Sequence, residues 1–245
     1  MNYNERNRHS RDEMLEFDPA GHIYTVHGTV YRTVTAVVED CFEKFDADYW
    51  AERKATPSCP AEELKRRWEE NGRRARELGT RLHDNIERYY LGEDADEDVA
   101  LDVAYRHFCD FARVTPLKPH RTEWGIYAEE CRLAGTLDFL ADNGDGTFDL
   151  WDWKRSNKVV GRDGRPATEN TAGKCGFGPL AHIPDTAYYH YALQLSIYRF
   201  ILERKYGIEV RSSRLGVFHP DNSTHYIVEV PYLRREVITL LNSIK

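Results

Sequence analysis

The segment that most restricts the fold is residues 131–154, where two apolar runs, "CRLAGTLDFLAD" and "TFDLWDWK", flank the tetrapeptide "NGDG". Strand-like runs on either side of an Asn-Gly or Asp-Gly dipeptide are the strongest short-range signal of a β-hairpin. Two neighbouring antiparallel strands are therefore expected here. These strands are unusual, because charged residues interrupt a series of Leu, Phe and Trp.

The charged residues of the hairpin are Asp138 in the first strand and Asp152 and Lys154 in the second. Charged side chains are seldom buried unless they are paired or bind a metal. Side chains alternate along a strand, so Asp152 and Lys154 point to one face, and the hairpin brings Asp138 alongside. Converging carboxylates repel each other, and a hard divalent cation such as Mg²⁺ offsets that repulsion. These three residues are the candidate metal-binding and catalytic groups.

The rest of the chain alternates between helical and strand-like patterns. Residues 1–14 are polar and lack periodicity, which predicts a mobile tail. The elements expected after it are a hairpin or meander over 15–35, helices over 35–54, 61–91 and 99–114, a strand over 121–129, the 131–154 hairpin, a long loop over 155–186, a helix over 186–207, strands over 210–220 and 225–231, and a helix over 232–245. This order indicates an α/β fold with a short mixed central sheet flanked by helices. No linker divides residues 15–245, which favours a single domain.

Composition limits the class of protein. A chain of 245 residues with 41% hydrophobic content can bury a substantial core. No apolar run of roughly 18 residues and no secretion leader is present, so we expect an intracellular, cytoplasmic protein without membrane contact. The five cysteines are far apart and form no CxxC pair, which argues against zinc ribbons and iron–sulfur clusters.

Basic residues are concentrated in two places, although the net charge of -7 argues against non-specific coating of nucleic acid. The first cluster, residues 65–76, lies in a predicted helix and is either a solvated face with Glu partners or a surface for phosphate. The second, residues 154–174, includes Arg155 and Lys158 and has fewer acidic neighbours. The loop is therefore the better candidate for contacts with DNA phosphates.

Several short motifs occur together in one order: "VYRTVTAVVEDCF", "LGTRLHDNIE", "AGTLD", "LWDWK" and "HYALQLSIY". In this combination they resemble the core motifs of the PD-(D/E)XK nuclease superfamily, particularly its RecB-like exonuclease branch. That branch includes many phage proteins and the mitochondrial genome maintenance type of exonuclease. The matches extend from about residue 31 to residue 198. Arg155 stands where relatives often carry Thr, and the C-terminal cysteines of iron–sulfur-containing relatives are missing.

The resemblance implies a restriction-endonuclease-like core and a role for each matching residue. Lys154 would activate or position the attacking water. Glu87 orients His83, reaches the metal, or forms an exposed pair with Arg81 or Arg88. The implied metal ligands, for one or two Mg²⁺ or Mn²⁺ ions, are His83, Asp138, Asp152 and the Trp153 carbonyl. Glu123 is a further carboxylate on the preceding strand. The implied substrate-binding residues are Gln194, Tyr198, Arg155 and Lys158.

The function expected from these residues is a metal-dependent deoxyribonuclease. An exonuclease that acts on DNA ends or single strands in replication, recombination or repair, in a phage or a bacterium, is favoured. Two alternatives stay open, a non-catalytic DNA-binding or assembly module on the same fold and a dimeric endonuclease. Cleavage of linear but not covalently closed circular DNA would distinguish an exonuclease from an endonuclease.

Overall fold

The computed structural model describes residues 2–99, 102–161 and 163–244, and it contains one mixed sheet flanked by helices. The elements in chain order are α1 (Tyr3–Arg6), β1 (Leu15–Asp18), β2 (Ile23–Val26), β3 (Thr29–Thr33), α2 (Val34–Glu39), α3 (Ala47–Lys54), α4 (Ala61–Leu91), α5 (Val103–Val114), β4 (Pro119–Ala128), β5 (Leu133–Asp142), β6 (Thr147–Lys154), α6 (Ala187–Ile201), β7 (Glu209–Val217), β8 (Tyr226–Val230) and α7 (Arg234–Ser243). The α/β class and the mixed sheet are therefore confirmed. A π-helical turn, Leu202–Tyr206, continues α6.

The predicted hairpin forms the centre of the sheet. β5 pairs antiparallel with both β4 and β6. β6 pairs in parallel with β7, which α6 precedes, and β8 lies antiparallel to β7. The β1–β3 meander joins through a short parallel contact between β3 and β5.

The two faces of the sheet bury different side chains. On one face, Phe139, Trp151 and Trp153 pack with aromatic residues of α5 such as Phe108. On the other, aliphatic residues of the central strands, such as Leu150, pack against α6 and α7. Alternation along β6 therefore directs Asp152 and Lys154 toward α6, away from the tryptophan face.

Several helix boundaries differ from the predicted ones. The single helix expected over 35–54 is two helices, because the Asp46 side chain accepts the Tyr49 N–H at 2.9 Å and starts α3 anew. The helix expected from residue 99 begins at Val103, where Asp102 provides the cap. The helix over 61–91 is confirmed and ends at Gly92. The predicted tail, helix and loop positions that lie outside the described residues are Met1, Ala100, Leu101, Arg162 and Lys245.

Residues 2–14, which we call the 2–14 segment, differ from the mobile tail expected from the sequence. They form α1 and a 3-10 turn over Ser10–Met14 and lie along the outer edge of β4. Asn7 Nδ2, for example, donates to the His120 carbonyl at 2.9 Å. Within the described residues β4 pairs with β5 alone, so its other edge needs polar partners, and the polar composition of the segment supplies them.

Asp12 joins this segment to β4 through a buried ion pair. Its Oδ2 accepts a hydrogen bond from Arg121 Nη1 at 2.7 Å, and its Oδ1 accepts one from Trp124 Nε1 at 2.8 Å. Burial alone would raise the pKa of Asp12, but the bonds from Arg121 and Trp124 outweigh it and hold the pKa below its ordinary value. A lowered folded-state pKa stabilises the fold above the unfolded-state pKa of about 4, and this stabilisation is lost as pH falls through the folded-state pKa.

We expect Asp12→Asn to lower the free energy of unfolding at neutral pH by about 3 kcal/mol, because Arg121 loses its counter-charge. The deficit should shrink as pH falls below about 4, where the wild type loses the same contribution. Urea denaturation at several pH values measures this, with Glu13→Gln, on a side chain that is 66% exposed, as the control. An Asp12→Asn deficit that stays constant down to about pH 2 would contradict the account.

Candidate metal centre

The strands of the central hairpin separate at their charged residues. Regular pairing of β5 with β6 extends only as far as Phe139 opposite Trp151. Beyond that point the Asp138 Oδ2 atom accepts the Trp153 N–H at 2.7 Å, so a carboxylate replaces the next backbone partner. His83 of α4 reaches the same place. The divergence of the strands thus brings a carboxylate, a peptide group and an imidazole together.

The His83 ring has two close polar neighbours. Its Nε2 lies 2.7 Å from the Trp153 carbonyl oxygen, and its Nδ1 lies 3.5 Å from Asp138 Oδ2. A carbonyl only accepts hydrogen bonds, so Nε2 carries the hydrogen and the Nδ1 lone pair faces the carboxylate. Burial and then the positive charge of Lys154 lower the pKa of His83 to about 4. His83 is therefore neutral at pH 7, which is the form of imidazole that binds metals.

Glu123 completes the group. The ligand atoms of His83, Glu123 and Asp138, which we call the ligand cluster, all lie within 4.8 Å of one another. Glu123 interrupts the pairing of β4 with β5 and has a φ of 42°, in the left-handed region. A non-glycine residue in this region costs of order 1–3 kcal/mol, and such strain is concentrated at functional sites.

The ligand cluster concentrates negative charge. Glu123 as a residue is exposed, yet desolvation of its carboxyl group and then the Asp138 charge raise its pKa well above the ordinary value. Burial also raises the pKa of Asp138. A cation among these groups would relieve both effects. Two carboxylates and an imidazole lone pair that converge in this way fit a divalent cation, and these ligand types suit Mn²⁺ as well as Mg²⁺.

Asp152 and Lys154, which we call the buried pair, lie next to the ligand cluster. Lys154 Nζ is 2.6 Å from Asp152 Oδ2, and Gln194 Nε2 donates to Asp152 Oδ1 at 3.4 Å. Burial raises the pKa of Asp152 to about 6, against the opposing effect of Lys154. Burial would lower the pKa of Lys154, but the carboxylates of Asp152 and Asp138 outweigh it and hold that pKa above its ordinary value. Lys154 is therefore a fixed ammonium group at neutral pH.

The cluster differs from the ligand set implied by the motifs. Glu123 is a member and Asp152 is a neighbour, because the oxygens of Asp152 face Lys154 and Gln194. The Trp153 carbonyl oxygen contacts His83 Nε2, and its predicted role as a metal ligand stays a prediction. Glu87 lies outside the cluster and accepts a hydrogen bond from Thr122 Oγ1 at 3.1 Å. The carbonyl thus orients the imidazole, a role that backbone acceptors often have beside metal-binding histidines.

Two residues predicted to bind substrate are largely buried. Tyr198 is 3% exposed and packs so closely on Gly135 that a Cβ placed there would lie 2.8 Å from its hydroxyl oxygen. Tyr198 is therefore a core residue and presents no face to a nucleotide. The Arg155 side chain is only 13% exposed and lies 3.9 Å from Asp102, so it connects the loop to the start of α5.

The remaining basic residues proposed for phosphate contacts lie in the 155–186 loop and on α4. Lys158 is exposed in the 155–186 loop, so its contact with DNA stays a prediction. On α4, Arg66 pairs with Glu63 and Arg73 pairs with Glu77, each at 2.9 Å. These i,i+3 and i,i+4 pairs favour the solvated-face interpretation of that helix.

One neighbour of the buried pair was missed in the sequence. The ring centroid of Tyr191 lies 4.6 Å from Lys154 Nζ, a cation–π distance. The sequence contained a signal for this position, because Tyr191 lies three residues before Gln194 and therefore on the same face of α6.

Comparison with known proteins gives no match: no protein-family model fits the chain, and no curated protein is similar to it. Among the helices of the described ranges, none combines the length and the apolar character needed to cross a membrane. A function for this protein therefore has to be inferred from the chemistry of the ligand cluster and the buried pair.

Proposed function

We propose that this protein is a metal-dependent deoxyribonuclease that hydrolyses phosphodiester bonds with one or two Mg²⁺ or Mn²⁺ ions. The observation that carries the proposal is the position of the ligand cluster directly beside a buried, charged lysine. The resemblance of the motifs to the PD-(D/E)XK superfamily supports the same reaction. We also propose that this chain has the core fold of that superfamily.

The ligand cluster would hold the cation through His83, Glu123 and Asp138. A bound divalent cation neutralises charge on a phosphate oxygen and lowers the pKa of a water molecule. The protein prepares this site with its own hydrogen bonds, because the Trp153 carbonyl orients the imidazole and the Trp153 N–H holds Asp138. Such outer contacts set the orientation and basicity of metal ligands.

Lys154 acts through its positive charge. An ammonium group with a raised pKa cannot accept a proton near neutral pH, so Lys154 positions the water molecule or donates to a phosphate oxygen. A preorganised cation in a site with little bulk water stabilises the negative charge that develops during hydrolysis. Asp152 fixes Lys154, and Gln194 in turn holds Asp152.

We propose DNA as the substrate, with free ends or single-stranded character. Lys158, on the exposed part of the loop that follows β6, would contact phosphates near the buried pair. The motif resemblance favours an exonuclease.

The test is cleavage of linear duplex, linear single-stranded and covalently closed circular DNA of one sequence, with Mg²⁺, Mn²⁺ or EDTA. We expect nucleotides to be released from linear DNA with either metal and none with EDTA. The Asp138→Asn variant, purified in the same way, should show no cleavage, and this result would exclude a contaminating nuclease. Lys118→Ala, at an exposed lysine that pairs with Asp142 at the far end of β5, should retain activity.

The other outcomes decide between the alternatives. Cleavage of the closed circle would identify an endonuclease. DNA binding without cleavage in any metal would contradict the nuclease proposal and favour a non-catalytic module.

A further inference from the structure

Thr122, the residue that precedes Glu123, is held by a side chain that lies 118 positions earlier in the chain. The Thr122 N–H donates to Asn4 Oδ1 at 2.9 Å, and Asn4 Nδ2 donates to Thr122 Oγ1, also at 2.9 Å. One amide group thus makes two hydrogen bonds to one residue, which fixes both its backbone and its hydroxyl.

The 2–14 segment also holds the residue that follows Glu123. Trp124 Nε1 donates to Asp12 Oδ1 at 2.8 Å. On the inner edge of β4, Thr122 and Trp124 pair with Phe139 and Leu137 of β5. Both neighbours of Glu123 are therefore fixed from two sides.

The contacts that hold Thr122 and Trp124, which we call the clamp, account for the backbone conformation of Glu123. A non-glycine residue persists in the left-handed region only where the surrounding structure forces it there. The φ of 42° belongs to the residue between the two fixed neighbours. Its carboxylate lies within 4.8 Å of the ligand atoms of His83 and Asp138.

Thr122 connects the same contact to α4. Its hydroxyl donates to Glu87 Oε1 at 3.1 Å, and Glu87 lies one helical turn after His83. The Asn4 side chain therefore lies at a junction between the strand that carries Glu123 and the helix that carries His83.

We propose that Asn4 is a positioning residue for the metal centre. Through Thr122 it keeps Glu123 in its left-handed conformation, so that the Glu123 carboxylate stays with His83 and Asp138. Asn4 itself belongs to neither the ligand cluster nor the buried pair. This inference rests on the proposed function, because it requires the ligand cluster to bind a cation.

A matched variant separates positioning from simple attachment of the segment. Asn7 makes one 2.9 Å hydrogen bond from the same segment to the same strand, but its partner is His120, three residues from Glu123. Asn4→Ala and Asn7→Ala should both weaken attachment of the segment. Only Asn4→Ala should disturb Glu123.

The experiment is calorimetric titration of the whole protein with Mn²⁺ alone, together with thermal unfolding. We expect Asn4→Ala to weaken Mn²⁺ binding on the order of 10-fold, as the loss of outer contacts to metal ligands typically does. Asn7→Ala should bind within about twofold of the wild type, since none of its contacts reaches the cluster. In cleavage assays, excess Mn²⁺ should restore the maximal rate of Asn4→Ala, because every ligand is still present.

The outcomes distinguish this inference from the proposed function. If Asp138→Asn abolishes Mn²⁺ binding while Asn4→Ala leaves it unchanged, or if Asn7→Ala weakens it equally, the positioning role is overturned alone. Wild-type protein that binds no Mn²⁺ overturns both proposals. If Asn4→Ala does not fold, Asn4→Leu decides: it keeps a side chain of similar volume but can make neither hydrogen bond to Thr122, and weaker Mn²⁺ binding supports the role while unchanged binding overturns it.

Discussion

Replacing Lys154 by methionine is expected to lower the maximal rate of DNA cleavage by about three orders of magnitude. The side chain keeps its approximate length but loses the charge that we propose acts on the reacting phosphate, and a preorganised charge of this kind contributes on the order of 10²- to 10³-fold. Affinity for Mn²⁺ should not fall, because Lys154 is not a member of the ligand cluster and its replacement removes a positive charge that acts on His83 and Asp138. Single-turnover cleavage at saturating metal measures the effect.

The Lys154→Met substitution should also lower the stability of the fold, so a second variant is needed to separate lost stability from lost cleavage. Asp152 is 2% exposed, so without Lys154 it would be a buried carboxylate lacking its counter-charge, at a cost of about 3 kcal/mol. The double variant Asp152→Asn/Lys154→Met removes both charges and should recover most of that stability while remaining inactive. Lys118→Met, at a lysine that is 69% exposed, is the control. A stable double variant that cleaves DNA at the wild-type rate would contradict the role of Lys154.

Glu123→Gly is expected to increase stability and to weaken metal binding. Glycine adopts a φ of 42° without a steric penalty, and the change also removes a carboxylate beside Asp138. After the entropic cost of glycine in the unfolded chain, we expect a net gain of about 1 kcal/mol in the free energy of unfolding. Mn²⁺ affinity should fall on the order of 100-fold, because one ligand is lost.

Glu123→Gln separates the two causes. It retains a side chain in the left-handed region and therefore the backbone strain, while it removes the carboxyl group whose ionisation the neighbouring Asp138 opposes. Its stability should lie between those of the wild type and Glu123→Gly, and its Mn²⁺ affinity should be low. Urea denaturation without metal and calorimetric titration measure both quantities. A glycine variant that is less stable and binds Mn²⁺ as tightly as the wild type would contradict the role assigned to Glu123.

The parts of the fold that the sequence predicted are those with local signals. The "NGDG" turn between β5 and β6 and the stop of α4 at Gly92 depend on residues that adopt left-handed conformations easily. The direction of Asp152 and Lys154 followed from strand alternation alone. Local signals were therefore sufficient to predict that Asp152 and Lys154 point to one face of the sheet.

The rest depended on contacts between distant residues. Asn4 and Thr122 are separated by 118 positions, and nothing in a polar, aperiodic segment indicates which strand edge it will cover. The left-handed φ of Glu123 arises from the clamp on its neighbours and carries no sequence signal. Tyr198 shares a helix face with Gln194, but one further turn places it beneath Gly135, where close packing excludes a substrate.

The most direct test of the central claim is calorimetric titration of Mn²⁺ into wild-type protein and into Asp138→Asn. Asp142→Asn, at a partly exposed aspartate on the same strand, is the matched control. We expect saturable binding by the wild type and by Asp142→Asn, and binding weakened on the order of 100-fold by Asp138→Asn. Equal Mn²⁺ binding by the wild type and Asp138→Asn would show that His83, Glu123 and Asp138 do not form a metal site.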